Sequence, residues 1–493
     1  MPDTCHPSAS AHPLSRRCAG VLLHLSSLPG GKLGAGARQW IDFLASCGFG
    51  CWQILPLCPT DETGSPYSSP SAFAGNSHFI DTGFLQQPPY AGRCDLQTNE
   101  HELWQQAYAV FARQPEEAQQ PLEEFIAQNH WLTDYALFSL LRQHHPGSWA
   151  QWPEAFRHRD TDALQAFSAQ HQNELRAICF QQYVFYRQWQ ELKAYANSRD
   201  ILILGDMPIF VAHDSSDCWA NQGSFLLESS GQPSWVAGVP PDYFSETGQR
   251  WGNPQYDWQA MAAENFRWWD DRFRFSFRCY DVVRVDHFRG FEACWYIPAT
   301  EELAINGHWR EVPGHALFEH LRSTLPSLPI IAEDLGIITA EVEKLRDDFE
   351  LPGMKILQFA FDGSPDNPYL PAQHIPNCVL YTGTHDNNTI SGWFTELNDE
   401  QRHMVLETLA GRADEMPWLM MERALQSVAN TVIIPLQDLL ELDGSHRMNI
   451  PGTTENNWRW QFQWSQIPTD LPQRVHALLQ QTQRVNSTAA DNH

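Results

Sequence analysis

With 493 residues, 42% hydrophobic and 18% charged, the chain can bury a large core and exceeds the usual size of one compact domain, which fits one barrel with large insertions or two to three domains. Its 32 Lys and Arg against 59 Asp and Glu leave a formal net charge of −27, so it lacks a basic stripe for phosphates, and nucleic acid and anionic membranes are poor partners. Eleven cysteines, an odd number scattered from Cys5 to Cys378, form no regular framework and point to a reducing, cytoplasmic setting.

Taken in chain order, Arg16 and Arg17 precede an apolar run, Cys18 to Leu25, but His24, Ser26 and Ser27 cut it short of a signal peptide or membrane span. Short apolar runs closed by polar or Gly-rich turns then predict eight buried strands: Gly20 to Leu23, Cys51 to Leu55, Ile201 to Gly205, Asp281 to Val285, Pro329 to Ala332, Met354 to Phe359, Cys378 to Tyr381 and Thr431 to Ile434. Helical segments follow several of them, among them Trp40 to Ser46, Tyr183 to Ala196, Ala263 to Phe275, Ala316 to Ser323, Thr339 to Asp347 and Met416 to Ala429. Strand then helix, repeated eight times, predicts a single catalytic (β/α)8 TIM barrel spanning residues 1–493.

About 145 residues separate the second and third strands and about 75 the third and fourth, far beyond an ordinary βα loop. Residues 59–200 and 210–280 are therefore expected to be insertions over the carboxyl face of the barrel, where active sites of this fold lie. The longer one carries helical patterns near Glu102 to Phe111 and Asp134 to Arg142. The tail Asn486 to His493 reads as disordered. A load of 20 Trp, 27 Phe and 13 Tyr suits the flat faces of sugars, although a large core also consumes aromatics.

Several motif-like stretches carry no chemistry. Gly30 to Gly36, GGKLGAG, matches neither dinucleotide-binding nor P-loop spacing and reads as a βα turn. Cys47, Cys51 and Cys58 lack zinc-site spacing, no H-E-x-x-H occurs, and no G-x-S-x-G marks a serine hydrolase. No metal or cofactor is expected.

The chemistry gathers at three strand ends. YDVVRVDHFRG closes the fourth strand with Asp286, PIIAEDLG closes the fifth with Glu333, and VLYTGTHDN follows the seventh with Asp386; in a barrel these ends share one mouth. Strand alternation turns Arg284 and Asp286 inward and Val283 and Val285 toward the helices. A lone acid here would read as an ion pair or helix cap. Two carboxylates about 5 Å apart, however, repel by about 3 kcal/mol at an effective dielectric of about 20, which is wasteful for stability and useful for separating an acid from a base. Glycosidic bond cleavage needs that separation. Asp286, paired with Arg284, is expected to stay ionised at low pKa and attack the anomeric carbon. Glu333, facing two other acids, keeps its proton for the leaving oxygen. Asp386, beside His385, holds sugar hydroxyls at the oxocarbenium-like transition state.

At this point the chain resembles the 4-α-glucanotransferases of the amylomaltase, or disproportionating enzyme, family, relatives of the α-amylases. The matching segments are SPYSSPSAFAGN (Ser65 to Asn76), GDMPIFVAHDS (Gly205 to Ser215), GVPPDYFSETGQRWGNPQYDW (Gly238 to Trp258), RVDHFRG (Arg284 to Gly290), AEDLG (Ala332 to Gly336), GTHDNNT (Gly383 to Thr389) and RMNIPGT…NW (Arg447 to Trp458), in order along nearly the whole chain. The resemblance implies nucleophile, acid/base and transition-state roles for Asp286, Glu333 and Asp386. It further implies sugar contacts from Tyr67, Asp206, Arg284, His385, Trp251, Ser65 and Asn457. The implied fold is a barrel without the C-terminal β-sandwich of the amylases. The implied substrates are malto-oligosaccharides and α-1,4-glucans, with glucose as an acceptor. The start close to the first strand resembles the family's short form. A retaining α-glucan hydrolase with the same triad is the main alternative; the loop from Gly238 to Trp258, with Tyr243, Phe244 and Trp251, favours transfer. A silent carbohydrate-binding protein and a metal-dependent hydrolase fit less well.

Overall fold

The computed structural model describes residues 12–241 and 245–486. Among the described residues twelve strands run in chain order: β1 (Cys18–Leu22), β2 (Cys51–Gln53), β3 (Leu202–Pro208), β4 (Trp235–Val239), β5 (Gln249–Pro254), β6 (Val282–Asp286), β7 (Ala293–Pro298), β8 (His308–Glu311), β9 (Ile330–Ala332), β10 (Gly353–Ile356), β11 (Cys378–Tyr381) and β12 (Thr431–Pro435). Eight of them, in the order β1-β12-β11-β10-β9-β6-β3-β2, close a parallel barrel, and each overlaps one of the eight strands expected from the sequence. The chain is thus a (β/α)8 barrel.

Both faces of these strands are buried, which is why they read as apolar runs rather than as alternation. Leu22, Cys51, Leu204, Val282, Ile331 and Val379 fill the interior, while Val21, Trp52 and Ile203 pack outward against the helical ring. The interior is tight: a Cβ at Gly20 would stand 2.5 Å from the Cys51 Cβ, so only glycine fits beside β2.

Between β2 and β3 the chain builds a helical mass that includes Glu100–Phe111, Trp131–His144 and the 26-residue helix Gln172–Asn197. This long helix presents Phe180, Phe185, Trp189 and Leu192 to the core. Its buried Gln182 accepts from the Gly75 amide at 2.8 Å and donates to the Gly75 carbonyl at 2.9 Å, anchoring the loop that carries Tyr67.

A four-stranded antiparallel sheet, β5-β4-β7-β8, stands beside the barrel. Two of its strands follow β3 and two follow β6, and β4 pairs with β7, so the segments after both barrel strands form one wall. The sequence signalled the first segment only. The helix expected from Ala263 to Phe275 is two helices, Trp258–Ala263 and Arg267–Cys279, because Asn265 and Phe266 both take left-handed backbone, each at φ 54°. Asn486, placed in the tail by the sequence, is buried and donates to the Arg199 and Asp200 carbonyls; the rest of that tail lies outside the described residues.

The seam between β1 and β12 is held by Arg484, which is fully buried and donates to the carbonyls of Cys18, Leu425, Ser427, Ala429 and Asn430 at 2.7–3.0 Å. Burial pulls its guanidinium down to about 10, so it stays charged at neutral pH. Arg484→Met would remove all five bonds; the Ser427 and Asn430 carbonyls keep other donors, Arg17 Nη1 at 3.0 Å and the Cys18 amide at 2.8 Å, and each carbonyl left without one costs about 1–3 kcal/mol. The expected outcome in a denaturant melt is a loss of at least about 3 kcal/mol, with turnover per folded molecule unchanged; a melt like that of the unsubstituted chain would refute the keystone role.

Candidate active site

Strand parity and register bring the polar groups to one mouth. Asp206 on β3 lies opposite Arg284 on β6, and Pro208 opposite Asp286; Val283 and Val285, of the other parity, pack among the helices. Arg284 is buried and donates from Nη1 to both Asp206 oxygens, at 2.8 and 2.7 Å, and from Nη2 to Asp286 Oδ1 at 3.0 Å. One guanidinium therefore bridges two carboxylates on neighbouring strands.

The chain leaves β6 through His287, which takes left-handed backbone at φ 53°, ψ 48°, a conformation that costs a non-glycine residue of order 1 kcal/mol. This turn aims the His287 amide at Glu333 Oε2, 2.5 Å away, and the Phe288 amide at the Glu333 carbonyl. The residue after Asp286 thus holds the side chain of Glu333, which follows β9 directly. Its neighbour Asp334 is buried and accepts from the Met354 amide and from Arg346, tying this strand end to β10.

After β11 a tight turn carries His385 and Asp386. Asn387 Oδ1 accepts from the amide and hydroxyl of Thr384, and buried Asp438 accepts from Thr382 Oγ1 at 2.9 Å and the Ile390 amide at 2.8 Å, pinching the base of the turn. His385 Nε2 stands 3.3 Å from Asp386 Oδ2. On the far side Asn449 Nδ2 donates to Asp386 Oδ1 at 2.6 Å, and Arg447 Nη2 donates to the Asp386 carbonyl at 2.8 Å.

Aromatic rings border the acids. Tyr67 stacks on His385 at 5.2 Å and 17°, donates its hydroxyl to Asp206 Oδ2 at 2.8 Å, and meets Trp458 at 5.9 Å. Trp251, 38% exposed, stands edge-on to the His287 ring at 4.8 Å. Tyr243 and Phe244 lie outside the described residues. A cavity of about 960 Å³ on the flank of the barrel is lined by Trp131, Trp268, Asp217 and Asp281, among others, and by none of the three acids.

The electrostatics separate the acids. Burial pushes Asp286 up to about 6, and the charge of Asp206 adds to the rise against the pull of Arg284. This corrects the expectation of a low-pKa nucleophile: the Arg284 pairing is present, but desolvation outweighs it. Asp286 remains mostly ionised at neutral pH. Glu333 is pushed well above the usual carboxylate range by burial first, opposed by Arg284, with the charges of Asp286 and Asp334 adding to the rise; Asp334 is an acid the sequence reading did not count. For Asp386, the cost of burial is outweighed by His385 and Asn449, which hold it below the usual range. Burial depresses the His287 imidazole to about 3, keeping it neutral.

A hydrolase and a transferase could both use this arrangement, and the comparisons decide between them. The sequence model of the 4-alpha-glucanotransferase family matches residues 23–466. The chain belongs to that family. It is 46% identical to a 4-alpha-glucanotransferase of Synechocystis, over 92% of this chain and 95% of that one. It is 42% identical to that of Thermus thermophilus, over 95% and 99%. The amylomaltase of Streptococcus agalactiae, solved in complex with acarbose, superposes with a TM-score of 0.90 at 34% identity, covering 96% of this chain and all of that one. Family membership assigns the chain transfer of α-1,4-glucan segments rather than hydrolysis.

Of the ten residues singled out from the sequence, eight converge: Asp206, Arg284, Asp286, Glu333, His385, Asp386, Tyr67 and, at the rim, Trp251. Ser65 supplies an oxygen to the Tyr67 amide at 3.3 Å and so braces that loop. The Asn457 amide is taken up by its own loop, accepting from Ile450 and donating to Thr453. Missed were His287, Asp438, Arg447, Asn449 and Trp458. RMNIPGT…NW contains three of these, but its first residues carry no acid or strand pattern to single them out.

These shifts set the pH dependence. A carboxylate attacks only when ionised and a carboxylic acid donates only when protonated, so with Asp286 and Glu333 in the roles proposed below kcat/KM is expected to fall as pH drops through about 6 and again as Glu333 loses its proton. Because Asp206 raises Asp286, Asp206→Asn is expected to move the acid limb to lower pH. An acid limb that stays in place, read from initial rates on maltotriose, would disconnect Asp206 from Asp286.

Proposed function

We propose that Asp286, Glu333 and Asp386 carry out a retaining transfer in two displacements. In the first, the Asp286 carboxylate attacks the anomeric carbon of the donor glucan, the bond to the leaving sugar breaks, and Glu333 gives its proton to the leaving oxygen. In the second, the 4-hydroxyl of an acceptor gives its proton to Glu333, attacks the glycosyl ester, and releases Asp286. Asp386 holds donor hydroxyls and its negative charge stabilises the oxocarbenium-like transition state. The observation that carries this reading is the linked pair of acids: Asp286 on Arg284, and Glu333 on the amide of the residue after Asp286.

Glucose serves as the smallest acceptor, and Tyr67, Trp251 and His385 line the donor and acceptor sides. The helical insertion in residues 59–200 and the segment 210–280 wall this single barrel. The cation balancing the acids is Arg284, so a chelator should leave the rate unchanged. A reducing cytoplasm is the compartment that suits its scattered cysteines.

Incubation with maltotriose tests the activity: a ladder of longer oligosaccharides plus glucose is expected. Asp286→Asn and Glu333→Gln should each lower this exchange at least about a thousandfold with little loss of stability, since an amide relieves the repulsion between the acids. Near-normal turnover in either folded variant would sink the assignment.

Transfer requires the acceptor to outcompete water at about 55 M, and a well-oriented bound hydroxyl reaches an effective molarity of about 10⁵ M or more. Trp251, exposed at the rim beside the residue that follows the nucleophile, is the described ring best placed to hold that acceptor. Trp251→Ala is expected to raise hydrolysis relative to exchange roughly five- to tenfold, the scale of one aromatic contact worth about 1 to 1.5 kcal/mol. Reducing-end assay beside chromatographic product analysis gives both rates; an unaltered ratio in a folded variant would place Trp251 outside acceptor binding.

A further inference from the structure

We propose that Asn449 is a positioning residue for the third acid: its side-chain amide fixes the orientation in which the Asp386 carboxylate meets the donor sugar. The inference rests on the reading of Asp386 as catalytic. Asp386 is held from two directions. Asp386 Oδ1 accepts from Asn449 Nδ2 at 2.6 Å, the short distance of a charge-assisted bond, while Oδ2 faces His385 Nε2 at 3.3 Å. Each carboxylate oxygen thus has its own partner, nearly half of the side chain is open to the cleft, and among the described residues these two contacts fix its rotation.

Asn449 is itself fixed on all sides. Its amide donates to the His385 carbonyl at 3.2 Å, its carbonyl accepts from Arg447 Nε at 3.2 Å, and Arg447 continues to the Asp386 carbonyl. The Trp458 amide returns to the Met448 carbonyl at 2.7 Å, and its ring packs on His385 and Tyr67. The loop from Arg447 to Trp458, which comes from beyond the last barrel strand, is thereby locked to the turn after β11. The ionisable groups around Asp386 are His385 on its own turn, Arg284 and Asp286 on β6, Tyr67 on the loop after β2, and Arg447 on this loop.

Replacing the donor by an acceptor of the same shape distinguishes this role from a simple brace. In Asn449→Asp the new carboxyl, when protonated, can still donate to Asp386; once ionised it repels Asp386 from bonding distance. Turnover of this variant is therefore expected to hold up on the acid side and to collapse toward alkaline pH, with its alkaline limb displaced to lower pH than in the unsubstituted enzyme. Asn449→Ala, with no donor at any pH, should lose about 10- to 100-fold in kcat with little change in KM. Both are measured as full pH profiles on maltotriose beside melting curves, with Asp386→Asn as reference.

Unchanged kcat in Asn449→Ala, or an Asn449→Asp profile with the shape of the unsubstituted enzyme's, would overturn the inference. If the alanine variant fails to fold, the isosteric aspartate decides by the same profile. Asp386→Asn separates the two layers. If it is inactive while Asn449→Ala is normal, only the positioning role falls; if it turns over normally, the reading of Asp386 itself falls.

Discussion

The site depends on one buried cation. Arg284 stands between Asp206 and Asp286 within a ring of strands filled mainly by apolar side chains, where Tyr381 also donates to buried Gln53. At an effective dielectric of about 20, each contact at about 4 Å is worth about 4 kcal/mol, against a desolvation penalty of several kcal/mol per buried ion. Desolvation wins at Asp286, whose carboxyl sits at about 6. A stronger pairing would make Asp286 a poorer nucleophile, because the guanidinium would hold its electron pairs. Asp206 draws on two hydrogen bonds from Arg284 and leaves Asp286 one, and the Asp286 carboxylate stays charged yet unsaturated.

Rigidity reaches the other acids through buried carboxyls that do no chemistry. Asp334 sits beside Glu333 in sequence and binds β9 to β10. Asp438 joins Thr382 to Ile390, the two ends of the turn that carries His385 and Asp386, although burial pushes it up to about 7. Two further buried groups, Gln182 at Gly75 and Asp217 at the Ala72 amide, brace the loop bearing Tyr67. Each piece of the mouth has its own fastening to the barrel or the long helix, so the acids keep their spacing without touching substrate.

The eight barrel strands were legible because burial on both faces leaves uninterrupted apolar runs, and Asp286, Glu333 and Asp386 were legible because they end such runs. The antiparallel sheet was not. β5 reads QRWGNP and β8 reads HWRE, mostly exposed and without apolar alternation, and they are strands because β4 and β7 offer them edges. The break at Asn265 and Phe266 lacked any Gly or Pro to announce it. Asn449 and Asp438 were invisible for a related reason: their partners are 63 and 48 residues or more away in sequence, and only closure of the barrel brings them together. The elevated position of Asp286 likewise needed depth of burial, which the neighbouring arginine in the sequence could not convey.

The same charges explain how one glutamate can serve both half-reactions. Before attack, the negative charge of Asp286 is among the causes that hold the proton on Glu333, opposed by the His287 amide, whose hydrogen bond favours the ionised form. In the proposed first displacement Asp286 becomes a neutral ester, so the repulsion ends while the His287 amide and the charge of Arg284 remain. Glu333, having just given up its proton, has lost one of the causes that raised it, while burial and the charge of Asp334 still favour the neutral acid, so it is ready to take a proton from the acceptor. Release of Asp286 restores the repulsion and with it the proton's place on Glu333. The left-handed turn at His287 thus does more than redirect the chain: by hanging the proposed acid/base on the amide next to the proposed nucleophile, it couples the protonation of Glu333 to the bonding of Asp286.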